Sequence, residues 1–97
     1  MVHEFHESGK QVIQKCQSEL MKKAGIDYGD IRSKLHTFKG NVGTIGAIRL
    51  FNCVFLLIKA VEKDQVPENI KSGLDKTSQE LEFAVQSLTE RVNEMFD

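Results

Sequence analysis

Between Ile31 and Ile45 the large apolar residues fall at intervals of four, three, four and three: Ile31, Leu35, Phe38, Val42 and Ile45. An α-helix puts that spacing on one face, whereas a strand needs alternation by two. The same period runs through most of the chain. A first helix is predicted from about Glu4 to Ala24, on Phe5, Val12, Ile13, Cys16, Leu20 and Ala24, with Gly9 weakening its first third and Gly25 as its stop. Asp27 or Asp30 caps the second helix, and Gly46 turns the chain after it. The third helix is expected from near Ala47 to about Lys63, on Ala47, Leu50, Val54, Leu57 and Val61. Pro67 suits the first turn of a fourth helix, where its missing N–H costs nothing. That helix continues through Ile70, Leu74, Thr77, Leu81, Ala84, Leu88, Val92 and Met95, about 45 Å of helix. The predicted fold class is all-α: one domain over residues 1–97, built as an antiparallel up-down-up-down four-helix bundle.

Composition narrows the function. Apolar residues are 40% and charged residues 28%, a globular balance that argues against disorder. Thirteen basic against fourteen acidic residues remove the bulk electrostatic case for nucleic acid. No apolar run approaches the roughly 18 residues of a membrane span. The first residues lack a signal-like apolar stretch, so a cytoplasmic protein is expected. Cys16 and Cys53 have no zinc spacing and read as buried thiols. His3 and His6, beside Glu4 and Glu7, lack a third ligand at a defined spacing, so a frayed terminus is expected there and not a metal site. Lys71, Asp75, Lys76, Glu80, Glu82, Glu90 and Arg91 read as a solvated face of the last helix.

The second helix carries a surface that its core does not require. At about 100° per residue, His36 lies near 140° from the apolar stripe and faces solvent. Gly29, Arg32, Lys39, Gly40 and Gly43 fall on the same side, between about 80° and 180°. Each interior glycine costs about 1 kcal/mol against alanine. Two of them beside an exposed imidazole suggest that something approaches closely. A neutral imidazole is a good nucleophile and can carry a covalent intermediate. Lys39, one turn away, favours a phosphoryl group there.

These residues, His36-Thr37-Phe38-Lys39-Gly40-Asn41-Val42-Gly43-Thr44-Ile45-Gly46-Ala47-Ile48-Arg49-Leu50, resemble the signature of histidine phosphotransfer domains. The resemblance is continuous over Leu35–Leu50. It implies a four-helix bundle that relays phosphoryl groups between the aspartates of response-regulator receiver domains. His36 is then the phosphoacceptor through Nε2, Lys39 balances the phosphate charge, and Gly40 opens the approach. The receiver brings Mg²⁺, and the chain has no cofactor, metal or nucleotide site of its own. No Walker-type loop or kinase motif occurs here. The implied protein is a phosphocarrier and not an enzyme with its own turnover. Its partners are receiver domains and a hybrid histidine kinase, with no nucleic acid, membrane or small-molecule substrate. One position departs from the pattern: Ile58, 22 residues after His36, stands where many members carry Gln or Glu near the imidazole.

The third helix is apolar beyond its core stripe. Ile48, Phe51, Phe55 and Ile58 lie on one flank and Leu56 on the other. A contiguous apolar patch marks a partner surface. Ile48, Phe51 and Phe55, with Arg32 and Gly43 on the His36 side, are therefore expected to form the receiver-docking surface. The alternative is a non-catalytic helical interaction module: an adaptor with an incidental His36, or a phosphotransfer-like domain that binds a receiver but, lacking a polar residue at Ile58, is poorly phosphorylated.

Overall fold

A computed structural model describes residues 2–96, with side-chain surroundings for residues 2–91. The chain forms four helices: α1 (Val2–Leu20), α2 (Tyr28–Ile45), α3 (Ile48–Lys63) and α4 (Pro67–Phe96). Among the described residues there is no strand, and no helix is long and apolar enough to cross a membrane. Local chemistry accounts for most of the boundaries. The Asp27 side chain accepts the Asp30 N–H at 3.0 Å and caps α2. Gly46 closes α2 at φ +83°, its N–H donating to the Val42 carbonyl at 3.0 Å. Pro67 occupies the first position of α4.

α1 departs from expectation at both ends. It begins at Val2 and stops at Leu20, four residues short of Ala24. The last turn tightens, with the Met21 and Lys22 N–H groups donating to carbonyls three and four residues back. Gly25 then takes φ +72°, and Ile26 folds back onto the core. The N-terminal turn is tied down and not frayed: Phe5 stacks on Phe38 with centroids 6.2 Å apart, and His6 Nε2 lies 2.7 Å from Glu82 Oε1. His6 is thereby spent on a contact with α4.

α1 and α3 each pack against both α2 and α4, around one core. The α2 stripe supplies Ile31, Leu35, Phe38 and Val42, all essentially inaccessible. Each such side chain contributes roughly 1.5–3 kcal/mol by leaving water. Opposite them stand Leu50, Val54, Leu57 and Val61 of α3 and Ile70, Leu74 and Leu81 of α4. Val92 and Met95, which continue the predicted α4 stripe, lie outside the residues whose side-chain surroundings are described. Thr77 is buried in this stripe because its hydroxyl is satisfied, donating to the Gly73 carbonyl at 2.7 Å, with Cys53 Sγ at 3.3 Å. Cys16 is fully buried as expected, and burial pushes its thiol up to about 11. Cys53 is only half-buried, a correction to the expected pair of buried thiols.

Gly9 has a packing reason, and two further expectations are corrected. A Cβ placed on Gly9 would stand 2.9 Å from Leu81 Cδ2 and 3.0 Å from Phe38 Cε1. Ile58 is buried at 4% exposure, because α2 and α4 both cover α3 and widen its buried arc. Glu80 leaves the solvated face of α4: its side chain is mostly covered and pairs with Arg49 at 2.9 Å.

Candidate functional site

With its apolar stripe turned inward, α2 exposes the opposite face. His36 is exposed there. One turn on, Gly40 faces open space, and a Cβ built on it meets nothing within 4 Å. Gly40 therefore puts no side chain beside the imidazole on this side of the helix.

Lys39 leans from α2 across α3. Its Nζ lies 5.7 Å from the Phe51 ring centroid and 5.3 Å from that of Phe55. Lys59, one turn along α3, places its own Nζ 4.9 Å from the Phe55 centroid. Both distances to Phe55 fall within the range where a cation is attracted to the negative face of the ring. Arg32, one turn before His36, is held differently. Its Nε donates to Glu62 Oε1 at 2.8 Å. That hydrogen bond holds the Glu62 carboxyl below its ordinary range, and the nearby charges of Lys59 and His36 act in the same direction.

At the far end of the face, Gly43 leaves room for Phe51. A Cβ there would lie 3.4 Å from Phe51 Cε2, an ordinary van der Waals contact. Gly43, Phe51 and Ile48 line a shallow apolar hollow of about 250 Å³ with Val42, Gly46 and Ala47. Ile48 is exposed at 73% and Phe55 at 39%, whereas Phe51 is half-buried against the core.

Seven of the eight sequence-predicted residues thus join in one strip. The Lys39 ammonium lies over both Phe55 and Phe51, and Gly43 and Ile48 continue the strip to the α2–α3 turn, while His36 and Gly40 occupy the same face of α2. Arg32 stands at the other end, its charge already engaged by Glu62. Ile58 is no part of this surface, and with no polar atom it offers the imidazole no hydrogen bond. Lys59 and Glu62 were not anticipated. Lys59 had a local signal, a cation four residues after an aromatic on one helix. Glu62 had none, since its partner is 30 residues away in sequence. A second cluster, Arg49 with Glu80 and with Phe83 at 4.8 Å, was likewise unseen.

Comparison with protein-family models, with curated proteins and with solved structures finds no match to this chain. The resemblance over Leu35–Leu50 therefore rests on those residues alone.

Proposed function

We propose that this chain is a histidine phosphotransfer protein that relays a phosphoryl group between receiver-domain aspartates through His36. The observation that carries the reading is an exposed imidazole with open space over Gly40 one turn away. The helices are read as an antiparallel up-down-up-down bundle. Cross-helix contacts support this: Arg32 meets Glu62, Lys39 meets Phe55, and Gly43 adjoins Phe51, so numbers rise along α2 as they fall along α3.

In the forward step the Nε2 lone pair attacks the phosphorus of a receiver's aspartyl phosphate. An N–P bond forms and the P–O bond to the carboxyl breaks, the carboxylate leaving with its electron pair. The proton on Nδ1 stays on the ring. Charge spreads over the three phosphoryl oxygens, Lys39 is the cation assigned to balance it, and positioning supplies most of the acceleration. A second receiver's aspartate takes the group in the reverse chemistry. The receiver supplies Mg²⁺, and this chain supplies the nucleophile and a cation. Ile48, Phe51, Phe55 and Gly43 form the docking surface, with the cytoplasm as the place of action.

One observation favours a second reading. Ile58 is buried and apolar, so the ring lacks an orienting partner at that position, as in a receiver-binding module that is poorly phosphorylated. Incubation with a phosphorylated receiver and Mg²⁺ separates the two. The phosphotransfer reading expects acid-labile, base-stable label on the wild type and none on His36→Gln, with the fold unchanged because His36 is exposed. Binding without label supports the second reading, and neither binding nor label leaves a helical adaptor. Phe55→Ala is expected to weaken transfer without unfolding the chain.

A further inference from the structure

Cations on this face are held in two ways. Arg32 faces a carboxylate, that of Glu62. Among the described residues Lys39 has no carboxylate within ion-pair distance; two aromatic rings hold it instead. The difference matters for an anion arriving at His36. A carboxylate both fixes a cation and cancels its charge. A ring quadrupole fixes it while leaving the charge and the N–H donors available. A lysine left to itself carries rotamer freedom that must be given up when it binds phosphate. Packing against Phe51 and Phe55 removes part of that freedom beforehand. Phe51 is itself fixed, half-buried against the core and seated over Gly43. Phe55 is shared by a second ammonium, that of Lys59, which adds positive potential beside the same ring.

We propose that Phe51 and Phe55 are positioning residues, which hold the Lys39 ammonium beside His36 without neutralising it. The role rests on the phosphotransfer reading and refines it: Phe55 acts through Lys39 and is more than an apolar contact for the receiver.

The test is a double-mutant cycle on the transfer rate constant at saturating phosphorylated receiver. Phe55→Leu keeps apolar bulk and removes the π face. It is expected to slow transfer about three- to fivefold, and Phe55→Tyr, which restores a π face, to recover most of that loss. Lys39→Met is expected to slow transfer at least as much as Phe55→Leu, and adding Phe55→Leu to Lys39→Met to cost nothing further. Losses that simply multiply in the double variant would overturn the proposal and assign Phe55 to docking. A partner-free readout stands beside the cycle. Ring currents should move the Lys39 Hε proton resonances upfield in the wild type and release them in Phe55→Leu. Ordinary lysine positions in the wild type would overturn the proposal whatever the kinetics. A wild type that takes no label at all defeats the phosphotransfer reading, and with it the role in transfer, while the resonance shift still reports whether the rings hold the ammonium.

Discussion

Gly9 and Gly40 stand inside helices, and each gives up about 1 kcal/mol of helix propensity relative to alanine. Their surroundings are opposite. Gly9 sits in the seam where α1 meets α4, with Leu81 and the Phe38 ring pressed against the place a methyl would take. Gly40 sits on the outer face of α2, where nothing lies within 4 Å of a Cβ. In the first region the missing side chain lets two helices come together. In the second it serves no contact within the chain, so its cost to the helix has no return inside the fold. An outward-facing vacancy beside an exposed imidazole is what a partner's approach to His36 requires.

Substituting the two glycines sharpens this contrast most. Gly9→Ala gains about 1 kcal/mol of propensity but forces a methyl into a packed seam, at a cost of about 1–3 kcal/mol. Urea denaturation should show a net loss of about 1 kcal/mol; stabilisation would mean that Leu81 and Phe38 move aside freely and that the seam is not tight.

The core also differs from the exposed face in how it answers pH. Cys16 of α1 is buried in the core, and its thiol is raised from the ordinary 9.0 to about 11. The unfolded chain therefore releases this proton first. The stabilisation is whole below pH 9 and declines as pH rises from about 9 to about 11, on the order of 1 kcal/mol by pH 10. Melts at pH 8 and pH 10 should show a smaller drop for Cys16→Ala than for the wild type. Equal drops would remove Cys16 from the account.

The smallest effect is expected at Gly40. Gly40→Ala should raise stability by about 0.5–1 kcal/mol while slowing transfer to His36. A variant both more stable and equally fast would show that the vacancy serves no approach.

Much of this contrast was out of reach of the amino-acid order. The stripe Ile31–Leu35–Phe38–Val42, the Asp27 cap, the Gly46 stop and the exposure of His36 were all legible, because each depends on residues within about one turn of one another. α1 was read four residues too long, since Ala24 keeps the period and only the return of Ile26 to the core ends the helix. Ile58 was placed on an exposed flank because the width of a buried arc depends on how many neighbours a helix has. Glu80 was read as solvated for the same reason, its partner Arg49 lying 31 residues away. Phe51 and Phe55 were picked out as an apolar patch, but their hold on Lys39 crosses from one helix to another.

Period, caps and glycine stops were written into the chain as short-range chemistry, and they suffice to name four helices and to turn His36 outward. Which glycine is pressed and which is open, and whether a cation meets a carboxylate or a ring, depend on distances between helices. Those distances are set by side-chain packing among residues tens of positions apart, and no local pattern encodes them.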